Sequence, residues 1–129
     1  MNSKVILAAL AAVVFSVSAH AAEPDIKRGE KVFRKCKACH EVQKEKNKVG
    51  PHLVNLFGRK AGSLEGYKYS KAMVAKGEDG LVWDEEIMLE YLIKPRQYVK
   101  GTKMAFAGLK KEKDRVNLVA YLKQFTEAQ

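Results

Sequence analysis

Apolar residues change their spacing along the chain, and each change predicts a different element. Residues 5–17 are apolar almost without interruption. From Asp25 onward the apolar positions open out to Ile26, Gly29, Val32 and Phe33, a helical period with Asp25 placed as its cap and Pro24 just ahead. Gly29 sits on the apolar face at a helix-propensity cost of about 1 kcal/mol, so another helix is expected to approach closely there. The period then stops. Residues 41–48 are charged and end at Gly50-Pro51, which reads as a loop. Residues 51–59 place Leu53, Val54, Leu56 and Phe57 in a second loop, of a length suited to wrapping a cofactor rather than to forming a strand.

Helical spacing returns at Ser70, which caps a short helix expected to run to Lys76 and stop at Gly77. Asp84 caps another, whose Ile87, Met88, Tyr91 and Leu92 form one stripe before Pro95 ends it, and Trp83 is placed to staple back onto Met88. From Arg96 to Leu109 the chain carries Gly101 and Gly108 around Thr102, Lys103, Met104 and Phe106, so a loop with inward-facing apolar residues is expected. Leu118, Tyr121, Leu122 and Phe125 predict a last helix. No segment alternates like a strand, and there is no repeat or low-complexity tract. The predicted fold is all-α, with about four to five helices.

The front of the chain adds a destination. Lys4, the apolar run and Ala19-His20-Ala21 read as a charged start, a hydrophobic segment and a cleavage site. The run falls short of the roughly 20 residues that span a bilayer. Residues 1–21 are therefore expected to be a cleavable signal peptide and residues 22–129 a single small domain, placed in the periplasm if the source is a bacterium. Twenty-four Lys and Arg against 15 Asp and Glu give +9, of which the signal removes only Lys4. Such a surface steers encounters with acidic partners. Nucleic acid is excluded as the partner, because export, scattered lysines and the lack of an aromatic stacking pattern argue against it.

The candidate chemistry lies at Cys36-Lys37-Ala38-Cys39-His40. C-x-x-C-H is the pattern for covalent haem attachment, with two thiols adding to porphyrin vinyl groups and the following imidazole placed beneath the iron. Cys36 and Cys39 are the only 2 cysteines in the chain. A redox disulfide between them lacks the βαβ context such motifs keep. A zinc site would need a fourth ligand, for which only His52 is nearby, and usually a second paired cluster. For the iron's sixth position the residues offer Met73, Met88, Met104 and His52. Met73 and Met88 have the spacing of core residues and His52 that of a loop histidine, which favours Met104 in its glycine-flanked loop.

The chain resembles the class I c-type cytochromes, the mitochondrial-type cytochromes c and their bacterial periplasmic relatives. The resemblance rests on Gly29, Phe33, the C-x-x-C-H stretch, Gly50-Pro51, residues 56–60, Trp83, residues 90–92, Pro95, Gly101 to Met104, Phe106 to Gly108 and residues 120–123, in order over residues 25–126. It implies one haem c per chain, held by two thioethers at Cys36 and Cys39, with His40 and Met104 as iron ligands. It further implies that Pro51 orients His40 and that Arg59, Tyr69 and Trp83 bond or neutralise a haem propionate. Tyr91 and Thr102 would flank the methionine sulfur, and Phe106 would shield the haem edge. Gly29 and Phe33 would meet Leu118 and Tyr121 where the first and last helices cross.

The function so implied is a soluble, monomeric, non-enzymatic electron carrier between membrane redox complexes, with a haem peroxidase or gas-binding sensor as the alternative if the sixth ligand is labile. A cytochrome bc complex would be the donor and a terminal oxidase or photosynthetic reaction centre the acceptor. Docking would use Lys35, Lys48, Arg96, Lys103, Lys110 and Lys111. Two departures stand out. The stretch between Tyr69 and Trp83 is about three residues longer than the mitochondrial pattern and has Ala72-Met73-Val74 where an asparagine is expected. Val99-Lys100 replaces a position where proline is frequent, which predicts a less rigid methionine loop.

Overall fold

The first helix, α1 (Ile26–Phe33), begins where Asp25 accepts the Arg28 amide through its side chain. It leads through turns straight into Cys36 and His40. Only the computed structural model's residues 11–14 and 23–127 are described here, so the proposed export signal lies outside them apart from residues 11–14. After α1 the chain is irregular up to Ser70, whose hydroxyl accepts the Met73 amide at the start of α2 (Lys71–Glu78). Asp84 caps α3 (Glu85–Tyr91) in the same way, through the Ile87 amide at 2.7 Å. A one-turn α4 (Pro95–Tyr98) follows, and α5 (Glu112–Lys123) closes the fold. Among the described residues the sole β feature is an isolated antiparallel bridge between Lys60 and Val82.

Two expectations need correction. Gly77 does not stop α2, which continues to Glu78. Gly77 is instead buried inside the helix, where an added Cβ would lie 1.9 Å from the Ala61 carbonyl oxygen, so the glycine is a packing requirement. Pro95 does more than end a helix: it starts α4 within the stretch expected to be loop, because proline is tolerated in a first turn. Phe125 lies just beyond α5 but still packs its ring against Tyr121, with centroids 5.1 Å apart.

The α1 and α5 helices form the principal packing of the fold. At Gly29 an added Cβ would lie 2.0 Å from the Asn117 carbonyl oxygen and 2.8 Å from the Tyr121 Cβ. The expected close approach is therefore present, with Asn117 rather than Leu118 facing the glycine. The Asn117 side chain also accepts the Asp25 amide at 2.8 Å, so the cap of α1 is tied to α5. Phe33 and Tyr121 stack nearby at 5.5 Å between ring centroids.

A second set of contacts positions the middle of the chain. The Gly58 and Ala61 amides donate to the carbonyls of Trp83 and Leu81, and the Trp83 amide donates to the Arg59 carbonyl. Residues 58–61 and 81–83 thus run side by side, bringing Arg59 next to Trp83 although they are distant in sequence. Among the described residues no helix is long and apolar enough to cross a membrane.

Candidate haem-binding site

A cavity of about 640 Å³ lies between α1, α2, α3, α5 and the irregular segments. Its wall includes Cys36, Cys39, His40, Pro51, Arg59, Tyr69, Trp83, Tyr91, Thr102, Met104 and Phe106, so the structure gathers every site residue expected from the sequence around one space. Leu53, Leu56, Met88, Leu92, Leu118 and Leu122 make much of the rest apolar. Lys35, Arg59, Lys68 and Lys103 line it too, and among the described residues no carboxylate does. A largely apolar cavity bordered by cations suits a flat apolar group with acidic tails, and a porphyrin with two propionates is such a group.

The attachment residues are placed by local backbone bonds. The amides of Cys39 and His40 both reach the Cys36 carbonyl, at 3.0 and 2.9 Å. The two cysteines are half-buried and are not joined to each other. Burial pushes the Cys36 thiol up to about 11, with Lys35 opposing the shift. Among the described residues no group of three or more His, Cys, Asp or Glu is arranged to hold a metal ion, which leaves the zinc reading without support.

His40 Nδ1 lies 2.7 Å from the Pro51 carbonyl oxygen. A carbonyl only accepts, so Nδ1 carries the proton and Nε2 keeps its lone pair for a metal. Burial lowers the pKa of His40; the bond to Pro51 opposes that, while Lys48 and Arg59 add to it. The ring is therefore neutral at neutral pH. Gly50 backs it closely, since an added Cβ there would meet the imidazole at 2.6 Å. Sequence reading named Gly50 only as a turn residue; its packing role against the ring needed the tertiary contact.

Met104 reaches the same cavity from residue 104 of the irregular segment after α4, and the Tyr91 hydroxyl donates to its sulfur at 3.7 Å. Thr102 helps to place it, its hydroxyl accepting the Met104 amide at 3.3 Å. Of the competing candidates, Met73 and Met88 do line the cavity, whereas His52 does not. The His52 ring is buried elsewhere, with Nδ1 lacking a hydrogen-bond partner among the described residues. Burial and the nearby Arg59 charge both hold its pKa below the ordinary histidine value.

Arg59 uses its two terminal nitrogens on the carbonyls of His52 and Val54, at 2.9 and 2.6 Å. Those bonds fix the guanidinium at the cavity wall. Burial lowers its pKa, and Tyr69 beside it favours the charged form. The Tyr69 hydroxyl accepts the Leu64 amide at 3.3 Å and its ring meets Tyr67 edge-on at 4.8 Å. Tyr67, which also lines the cavity, was not expected from sequence; no motif marked it. Trp83 packs on Tyr91 at 4.9 Å between centroids.

The proposed docking residues Lys35, Lys48, Arg96, Lys103, Lys110 and Lys111 are all exposed. Three of them also bond to carbonyls: Lys48 to Lys37, Lys103 to Lys68 and Arg96 to Ala105.

The Cytochrome c family pattern matches residues 26–126. The chain is 58% identical over 98 residues to cytochrome c2 of Afifella marina, covering 75% of this chain and 79% of that protein. It is 46% identical over 128 residues to cytochrome c-554 of Methylosinus trichosporium, covering 97% and 95% of the two chains. Among solved structures, cytochrome cH from Methylobacterium extorquens aligns with a TM-score of 0.70 at 42% identity, over 78% of this chain and 98% of that one. A match through nearly the whole described chain, joined to a C-x-x-C-H turn on a basic, apolar cavity, places this protein in the cytochrome c family, as a small all-α class I c-type cytochrome that binds one covalent haem c.

Proposed function

We propose that the protein is exported to the periplasm after loss of residues 1–21 and carries single electrons between membrane complexes through a haem with His40 and Met104 as axial ligands. The observation that carries this reading is the Tyr91 hydroxyl on the Met104 sulfur at 3.7 Å, in the same cavity that holds His40 with its Nδ1 committed to Pro51. A methionine tethered in this way suits a permanent ligand better than an open sixth position. The haem supplies the one-electron couple, and a thioether paired with histidine raises its potential.

The chain's own side chains keep that couple protected. Pro51 holds the imidazole in one tautomer and orientation. Leu53, Leu56, Leu92 and Leu118 exclude water, and Phe106 covers an edge. Arg59, Tyr69 and Trp83 offer the charge and donors that make a buried propionate tolerable. The exposed lysines with Arg96 form the docking face for acidic surfaces on a cytochrome bc donor and on a terminal oxidase or photosynthetic reaction centre acceptor.

The test is an absorption spectrum of the holoprotein, oxidised and reduced, with carbon monoxide added to the reduced form and Met104→Ala as the comparison. The expected result is a low-spin spectrum with the weak sulfur-to-iron band, indifferent to carbon monoxide, and loss of the band with ready carbon monoxide binding in the variant. A parent protein that is high-spin or binds carbon monoxide readily overturns the carrier reading.

A further inference from the structure

Residues 103–108 carry Met104, yet among the described residues none of their backbone groups pairs with another backbone group. The flanking backbone bonds are Thr102 to Val99 at 3.1 Å on one side and Leu109 to Leu92 at 2.8 Å on the other. Gly101 at φ 94 and Gly108 at φ 111 turn the chain near both ends. A stretch without a ladder of its own stays in place only if side chains hold it.

Besides the Tyr91 hydroxyl on the Met104 sulfur, three polar tethers do so. Thr102 accepts the Met104 amide, Lys103 donates to the Lys68 carbonyl at 2.6 Å, and Arg96 donates to the Ala105 carbonyl at 2.9 Å. The first comes from Thr102, the residue just before the segment, and the second ends on Lys68, an exposed residue of an irregular stretch. The third differs, because Arg96 springs from α4, whose Pro95 and following Val99 are buried, Val99 fully. Arg96 thus grips the carbonyl next to Met104 from a fixed base. A guanidinium stays charged at any working pH and presents its donors in a rigid plane, which a lysine does not.

We propose that Arg96 is a positioning residue for Met104, its bond to the Ala105 carbonyl holding the methionine segment closed over the cavity, a role distinct from any its charge has in docking. The proposal rests on the reading of Met104 as the iron's sixth ligand. Docking charge does not enter imidazole binding or amide exchange, so those readouts separate the two roles, and Arg96→Lys, which keeps the charge but offers a shorter ammonium donor, tests the geometry of the bond.

The experiment titrates imidazole, an external ligand that competes with the methionine, into the oxidised holoproteins of wild type, Arg96→Lys and Arg96→Ala. Amide exchange of residues 103–107 is followed in the reduced forms. Arg96→Ala is expected to bind imidazole about fivefold more tightly and to exchange about fivefold faster in that segment, the effect of one ordinary hydrogen bond, and Arg96→Lys to change both by less. Exchange in α1 and α5 stays at the wild-type rate. Wild-type imidazole affinity and exchange in both variants overturn the tether. A Met104→Ala protein that keeps the sulfur-to-iron band and the parent's imidazole affinity overturns the premise instead, so the two failures are told apart.

Discussion

The His40 and Met104 sides of the cavity are built by different means. Around His40 the supports are close in sequence and mostly backbone: the Cys36 carbonyl receives two amides, Gly50 donates to the Cys39 carbonyl at 2.9 Å, Leu53 donates to Glu41 at 2.8 Å, and Pro51 takes the ring proton. Around Met104 the backbone makes no such pairs from 103 to 108, and side chains of Tyr91, Arg96, Thr102 and Lys103 do the holding. Local backbone bonds close short loops at small entropic cost and form as a unit with α1. Contacts brought from distant parts of the chain are separate and individually weak, so the methionine side is the one expected to open first.

Substitutions should reveal the contrast by their size. The largest effect is expected from Gly29→Ala, under the histidine side. Alanine gains about 1 kcal/mol of helix propensity, but its Cβ would stand 2.0 Å from backbone on α5, and backbone cannot rotate aside. The net loss should be about 2 kcal/mol or more, as overpacking outweighs propensity. Urea unfolding of the holoprotein measures it. Wild-type stability in this variant would mean that α1 and α5 slide apart freely, and that the histidine side is less rigid than argued.

A smaller effect concerns His52, whose carbonyl holds Arg59. Burial, and secondarily the Arg59 charge, lowers its pKa below 6.5, with Glu45 working the other way. The unfolded chain therefore takes up the proton first. Stability is complete above about pH 6.5 and is lost as pH falls through that value towards the folded-state pKa, by up to about 1.4 kcal/mol for each unit of separation. Unfolding free energies at about pH 7.5 and about pH 5 should differ in the parent and differ less in His52→Gln. An equal slope in both would remove His52 as the source.

The smallest effect is on the methionine side. Tyr91→Phe removes one hydroxyl donated to a thioether, worth about 0.7 kcal/mol. With Met104 as the proposed sixth ligand, loss of that donor would leave the sulfur more electron density for iron, so the reduction potential should fall by about 30 mV, the one-electron equivalent of that energy. Potentiometric titration reads it. A rise, or no change, would show that the 3.7 Å contact is not a working bond.

The sequence was most informative where a residue's role is local. Asp25, Ser70 and Asp84 cap the helices they were expected to cap, because a cap needs only an oxygen two or three residues before the amides it satisfies. Gly29 was legible as a site of close approach, since glycine in an apolar helical face has few other uses. Gly77 was misread for a related reason: helix stop and helix packing both call for glycine, and only the Ala61 carbonyl beside it distinguishes them. The α4 turn was hidden because proline both ends and begins helices.

At the candidate site, the C-x-x-C-H spacing by itself determined that two thiols and an imidazole share one turn, a matter of chain geometry over five residues. The choice among Met73, Met88, Met104 and His52 was not decided in that way. All four are chemically able, and three line the cavity. Tertiary structure decided which sulfur meets the Tyr91 hydroxyl, which arginine is locked onto His52 and Val54, and which one grips Ala105. Those contacts join residues far apart or across a turn that no period announces, and they exist only once α1, α5 and the paired segments 58–61 and 81–83 have folded the chain around a common space.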